Sequence, residues 1–441
     1  MISTLKNILS KPVSIAPLIT FRVLFGFMML CSILRFITKG WVYEQYIRPE
    51  YHFTYYGFEW VQVLPPLLMY AIFGIMALAA LGIMMGWAYH WSAALFFLTF
   101  TYVELIDKTY YLNHYYFVSV MALVLVFLPL GRVSFFKPKE GPIFSHIPQL
   151  YLLLPKVIIG LVYFYAGVAK LNPEWLIEAL PLRIWLPANS HLPLVGPIMG
   201  ELWLAYAFSW FGAIYDLSIP FLLCYRKTRK YAFFMVVVFH MSTWLLFPIG
   251  MFPFIMIASS TLFFSSKWHR SLWSLFPIKS LPTDRTIYYS KHFKSKALLL
   301  GVFLLIQVLL PWRFLAYPGK LFWTEQGYRF SWRVMLMEKA GYAIFHITDP
   351  LTDRSWEIYA KDYLTPAQEK QMSTQPDMIL QFAHFLKDKL REEGLSSTEI
   401  RAEVYVSLNG QASKLLIDPS LDLSTIRDDF GHKTWILPYS R

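Results

Sequence analysis

The stretch PQLYLLLPKVIIGLVYFYAGVAK, Pro148 to Lys170, decides how this chain is read. It is long enough to cross a hydrocarbon layer as one helix, which takes about 20 residues. It ends on a lysine, and the LNPEW that follows places Asn172 and Pro173 where a helix stops. An ionisable side chain at the edge of such a segment is costly unless it pairs or faces water, so Lys170 is a candidate functional residue from the outset.

The rest of the chain is built in the same way. Of 441 residues 56% are hydrophobic and only 15% charged, and the mean hydropathy is +0.43, leaving too little polar surface to cover a soluble globule. Further apolar segments run over about 14–38, 64–86, 90–107, 112–131, 200–224, 230–247, 250–266 and 297–316. The expectation is an all-α polytopic membrane helix bundle of about nine transmembrane helices over residues 1–316. The segments at 230–247 and 250–266 are short, and FPIGMFPF (Phe247 to Phe254) between them reads as a tilted hairpin or a re-entrant pair. The first run, Ile15 to Ile37 behind Lys6 and Lys11, is too long for a signal-peptide core and lacks a small-residue cleavage site, so it reads as an uncleaved span.

Charge supplies the orientation. The net charge of +12 is concentrated before residue 317, with 25 Lys+Arg against 11 Asp+Glu there and 15 against 17 after it. Alternate loops carry Lys6 and Lys11, then Arg132, Lys137 and Lys139, then RKTRK (Arg226 to Lys230), then Lys267, Arg270, Lys279, Arg285, Lys291, Lys294 and Lys296. The opposite loops carry only Lys39, Arg48, Lys108 and Arg183. By the positive-inside rule the N-terminus is cytoplasmic and everything after residue 317 is outside. The basic residues form no aromatic-interleaved face, which argues against nucleic acid as a partner.

Residues 317–441 read as a small α+β extramembrane domain. YRFSWRVML (Tyr328 to Leu336) and GYAIFHI (Gly341 to Ile347) alternate like a hairpin, and Thr365, Pro366 and Gln368 carry helix-start signals. A second helix is expected near Asp377 to Glu393, ending at Gly394, and strands are expected on either side of an Asn409-Gly410 turn. No internal repeat or low-complexity segment interrupts the chain.

Ionisable residues at or in the spans are Arg22, Arg35, Glu104, Asp107, Lys108, His114, Lys156, Lys170, Asp216 and His240. Glu104 and Lys108 are four apart and read as a local ion pair. Arg22 and Arg35 read as snorkelling or internally paired, Lys156 as a positive-inside anchor, and Asp216 with His240 as a packed polar pair. Lys170 follows a run of small and apolar residues, and a partly desolvated lysine is a competent base near neutrality. A snorkelling lysine at a helix end remains the alternative. Asn113 and His114 open the 112–131 segment on the same side as Lys170, where His114 and Lys170 can meet; a plain helix start is the alternative. Cys31 and Cys224 lie toward opposite ends of their spans and cannot be bridged. No dinucleotide, P-loop, GxSxG or HExxH motif is present, so nucleotide, serine-hydrolase and zinc-protease chemistries have no support. The 18% aromatic content suits interfacial belts and also a pocket for a flat apolar ring such as a quinone.

Taken together, YLNHYYF (Tyr111 to Phe117), AGVAKLNPEWL (Ala166 to Leu176), FHMSTWLLFPIGMFPFIMIASSTLFF (Phe239 to Phe264) and WTEQGYRFSWRVML (Trp323 to Leu336) resemble the vitamin K-dependent gamma-glutamyl carboxylase family, including its bacterial members with a horizontally transferred transmembrane domain. The resemblance covers most of residues 15–340. It implies a membrane enzyme that couples oxygenation of vitamin K hydroquinone to its epoxide with γ-carboxylation of glutamate, using O2 and CO2 as co-substrates and no metal. By the same resemblance Lys170 is the hydroquinone base, Asn113 and His114 assist it, and His240, Tyr328, Ser331 and Trp332 help form the pocket for glutamate or vitamin. The implied partners are a glutamate-containing peptide or protein, a reduced quinone and the lipid bilayer. The implied location is a bacterial inner membrane.

The chain departs from the family pattern in places. It has Ala169-Lys170 where many animal members have two lysines, and Tyr111 where Trp is common. Its two cysteines do not support the family's disulfide, and its outer domain is shorter than the region with which the animal enzymes dock a propeptide. Two other readings therefore stand beside the carboxylase: a quinone epoxidase without carboxylation, and a non-catalytic transporter or scaffold. Transport would be favoured by inverted repeats, and none is visible.

Overall fold

The computed structural model describes residues 7–131, 144–275, 286–288, 292–395 and 397–440. Of the basic loop residues used above to assign orientation, Lys6, Arg132, Lys137, Lys139, Lys279, Arg285 and Lys291 lie outside the described residues.

Every apolar segment becomes a helix. These are α1 (Ala16–Thr38), α2 (Pro66–Met85), α3 (Tyr89–Ile106), α4 (Asn113–Phe127), α5 (Gln149–Lys170), α6 (Leu202–Cys224), α7 (Arg229–Leu246), α8 (Phe252–Ser260) and α9 (Phe293–Leu309). Five have the length and apolarity to cross a membrane: α1, α2, α5, α6, and α9 with its extension to Ala316. The other four of the nine expected spans are not confirmed: α4 and α8 are short, and α3 and α7, with 18 residues each, fall short in apolarity. Pro248, Gly250 and Pro253 cut α7 from α8, Pro129 follows the end of α4, and α3 is confined between a left-handed turn at Gly86 to Ala88 and Asp107.

Two glycines set the packing. A Cβ on Gly26 of α1 would stand 2.6 Å from the Met84 backbone nitrogen of α2, and one on Gly167 of α5 would stand 2.7 Å from Leu217 Cγ and 2.9 Å from the Leu217 nitrogen of α6. Only glycine permits these two pairs of helices to approach so closely. Strands β1 (Pro12–Ser14) and β2 (His146–Pro148) pair antiparallel and fix the starts of α1 and α5 at one end of the bundle. Lys170 is thereby carried to the other end.

At that end the C-terminal region forms a four-stranded antiparallel sheet in the order β4-β3-β5-β6, from β3 (Lys339–Asp349), β4 (Arg354–Tyr359), β5 (Glu399–Leu408) and β6 (Lys414–Leu415). Alternate residues of β5, Ile400, Ala402, Val404, Val406 and Leu408, are buried, as the period-two pattern requires. Helix α10 (Pro366–Met372) starts on the expected capping box of Thr365 and Gln368. Helix α11 (Pro376–Glu392) buries Ile379, Phe382, Ala383 and Leu386 in the same apolar core as the sheet.

The structure corrects the expected hairpin. Residues 328–336 are not a strand: Phe330, Trp332 and Met335 have φ of 60°, 59° and 53°, so the chain turns repeatedly, and β3 pairs with β4 and β5 instead. Left-handed non-glycine residues cost about 1 kcal/mol or more each and persist where their surroundings fix them. Asn409 and Gly410 do take the left-handed turn, but Val406 pairs with Lys414, so the loop is longer than a two-residue hairpin.

Candidate active site

Lys170 is the last residue of α5, and its surroundings are built by the next five residues. The Asn172 side chain accepts from the Trp175 backbone N–H at 3.0 Å and donates to the Ala169 carbonyl at 2.9 Å, with Pro173 at the first position of the short helix Pro173–Leu176. Trp175 is then locked on α6, its Nε1–H donating to the Ser209 carbonyl at 2.8 Å and its own carbonyl accepting from the Ser209 hydroxyl. The Trp175 ring lies 5.3 Å from Lys170 Nζ.

The lysine does not snorkel. Its ammonium is 2.6 Å from Asp216 Oδ2, with side-chain exposures of 8% and 6%, and it also donates to the Ala166 carbonyl at 3.3 Å. The expected Asp216–His240 pair is thus replaced: the close α5–α6 contact at Gly167 puts Asp216 beside Lys170, and His240 Nε2 bonds the Tyr163 hydroxyl at 2.8 Å.

Lys170, Asp216, Tyr163 and His240 all line one cavity of about 100 Å³, whose walls include Trp175, Phe239, Phe247, Phe252 and Met256. Tyr163 lies two turns before Lys170 on the same helix face, so the polar groups are spread along the cavity by about 10 Å. An apolar, aromatic-walled space with a few fixed polar groups has the general character of a small-molecule site.

The remaining candidates are placed elsewhere. His114 is buried but does not line this cavity; its ring lies 5.6 Å from that of Phe252, which does. His114 thus borders the cavity through Phe252, and among the described residues no contact joins it to Lys170. Asn113 accepts from the Tyr111 hydroxyl at 3.0 Å and donates to the Arg333 carbonyl at 2.6 Å, pinning the irregular segment to α4. Val334 and Met335, next along that segment, line the Lys170 cavity. Trp332 is buried with its ring 4.8 Å from Tyr116, and the Tyr328 ring packs 6.3 Å from Phe322.

Ser331 lines a second cavity of about 460 Å³, on the other side of the end of α5, with Asn172, Glu174, Lys320 and Arg333. Glu174 pairs with Lys320 and accepts from Asn409 at 3.2 Å, joining the end of α5 to the sheet. The expected Glu104–Lys108 pair is also replaced, because α3 ends at Ile106 and turns Lys108 off the helix face. Lys108 instead reaches Asp377 of α11 at 2.7 Å, as does Arg329 at 2.7 Å.

The sequence reading passed over Asp216 as the partner of Lys170, and Tyr163, Trp175 and Gly167 altogether. Only Tyr163 carried a legible signal, its seven-residue spacing from Lys170.

Comparison with known families places this geometry. The HTTM domain matches residues 10–268, and the vitamin K-dependent gamma-carboxylase lumenal domain matches residues 293–441. The chain belongs to the vitamin K-dependent gamma-carboxylase family. No solved structure matches it. The HTTM match contains Lys170, Asp216 and His240, and the lumenal-domain match contains Val334 and Met335 of the same cavity together with Ser331, Trp332 and the sheet. The chain is thus a carboxylase-like membrane protein with apolar helices and a small strand-containing C-terminal region.

Proposed function

We propose that this protein is an integral membrane carboxylase that couples oxygenation of vitamin K hydroquinone to its epoxide with γ-carboxylation of glutamate residues by CO2. The observation that carries the reading is Lys170, held at the end of α5 against Asp216 inside an aromatic-walled cavity, in a chain of this family. Vitamin K hydroquinone, when bound, supplies through its oxygenation a base strong enough to remove a glutamate γ-proton.

The protein's part is to hold and move protons in a dry space. Lys170 Nζ accepts the hydroquinone proton; Trp175, Phe247 and Phe252 hold the ring and exclude water, which would quench a strong base. His240, fixed by the Tyr163 hydroxyl, supplies a second polar contact in the same cavity. Asn113 positions the wall that carries Val334 and Met335, and His114 backs Phe252. Ser331, beside Lys320 and Arg333 in the second cavity, is our candidate contact for the glutamate-containing peptide or protein, with Tyr328 and Trp332 fixing its segment. From loop charge we place the N-terminus in the cytoplasm and the site on the outer side, and from the outer domain's shortness beside the animal enzymes we take the membrane to be a bacterial inner membrane.

The test is detergent-purified protein given reduced vitamin K, O2, labelled bicarbonate and a short glutamate peptide, with epoxide and acid-stable carbon both measured. Lys170→Ala is expected to lose both products while inserting normally, and small exogenous amines are expected to restore part of the activity. Epoxide without incorporated carbon would replace the carboxylase with an epoxidase. Neither product from folded wild-type protein would overturn the enzymatic reading.

A further inference from the structure

An ammonium cannot accept a proton, and Lys170 stands in a buried ion pair with Asp216. For the reading above to hold, something within reach must relieve Nζ of its proton. Among the described residues its polar and ring partners are the Ala166 carbonyl at 3.3 Å, the Trp175 ring at 5.3 Å and the Asp216 carboxylate at 2.6 Å, and of these the carboxylate can take a proton.

The geometry is made for that transfer. Gly167 brings α6 close enough for Asp216 to reach the end of α5, and the lysine chain lies along α6 at Gly212, one turn before Asp216, where a Cβ would stand 3.8 Å from Lys170 Cε in ordinary contact. Moving one proton from Nζ to Oδ2 turns a buried ion pair into a neutral amine and a neutral acid. That removes two charges from an apolar cavity, where each is expensive.

We propose that Asp216 is the proton acceptor that frees the Lys170 amine. The inference rests on Lys170 being the base. As a substrate hydroxyl gives its proton to Nζ, the proton already on Nζ passes to Oδ2: one O–H bond breaks, one forms, and the total charge is unchanged. Lysine ends as an ammonium facing the oxygen that lost the proton, and Asp216 ends as a carboxylic acid. Among the described residues the other titratable groups around the pair are Tyr163 on α5, Tyr215 on α6 and His240 on α7, with His114 of α4 against Phe252. Asp216 acts through Lys170, and it is a positioning and proton-holding residue.

The experiment compares wild type, Lys170→Ala, Asp216→Asn and Asp216→Glu as full-length protein in nanodiscs. Without any quinone, the Nζ signal of Lys170 is followed by NMR of [15N]lysine-labelled protein and assigned by its loss in Lys170→Ala. Asp216→Asn is expected to make Nζ titrate at a lower pH than in wild type, and Asp216→Glu to restore the wild-type titration. With reduced vitamin K, and at a pH below the Nζ titration found by NMR for that variant, Asp216→Asn is expected to lose about 100-fold in turnover with KM changed by less than about threefold, and its activity is expected to rise with pH along that titration. Wild-type titration, turnover and pH profile in Asp216→Asn would overturn the proposal. Should that variant aggregate, Asp216→Glu decides: a wild-type pH profile supports the proposal, and a new rising limb overturns it. Epoxide formation retained by Lys170→Ala would instead overturn the assignment of the base, leaving the NMR comparison to judge Asp216 by itself.

Discussion

Gly167 shows how one residue sets the chemistry of another. A methyl group there would meet the Leu217 side chain and backbone below 3 Å, and the helix backbone cannot yield as a flexible side chain does. Gly167→Ala is expected to force α5 and α6 apart, destabilise the protein by about 1–3 kcal/mol and lengthen the Lys170–Asp216 contact. Thermal unfolding in detergent checks it, and an unchanged melting temperature would mean that the helices have room. Asn113 acts by hydrogen bonding. Asn113→Ala removes the donor to the Arg333 carbonyl, and the expected cost is about 1–3 kcal/mol, with faster amide exchange over residues 329–335 than in wild type.

At the scale of elements, the irregular segment 328–338 joins the helices to the sheet, and Asp377 at the start of α11 holds it there. Burial opposes the Asp377 charge, but Arg329 and Lys108 more than offset that and hold its carboxyl well below the usual carboxylate range. A carboxyl depressed in the folded state adds stability that is present above its unfolded pKa and is lost only as pH falls through the folded value. The docking of α11 is therefore expected to survive acidification through the usual carboxylate range near pH 4 and to fail only in stronger acid. Asp377→Ala leaves Arg329 and Lys108 facing each other and is expected to cost about 3–5 kcal/mol. Limited proteolysis between α9 and β3 reads this out, and equal cleavage of variant and wild type from pH 4 to 8 would sink the idea.

For the whole molecule, the outward placement of the C-terminal region rests on loop charge, and it is tested by labelling. With Cys31 and Cys224 replaced by serine, an impermeant maleimide added to intact spheroplasts is expected to react with Ser420→Cys in the C-terminal region and not with Lys227→Cys between α6 and α7. Reaction at Lys227→Cys alone would invert the topology. Hydropathy alone located all the apolar helices within a few residues, because a segment's apolarity is a property of its own side chains. The capping box at Thr365 and the helix end at Asn172-Pro173 were legible for the same reason, since each is a local hydrogen-bond pattern. Lys170 stood out because a charge closing an apolar run is visible without knowing what lies beside it. Its partner was not visible: Asp216 lies 46 positions away, and the contact depends on a glycine whose only signature is that α6 touches it. The hairpin expected at 328–336 failed because its alternation comes from contacts with separate elements, Trp332 on α4 and Met335 on the cavity wall, and not from one sheet face. The sequence by itself determined where helices form and which ionisable groups are expensive to bury, both consequences of local composition. Only the tertiary structure decided which of those groups pair, because close helix approach chooses partners that spacing along the chain cannot.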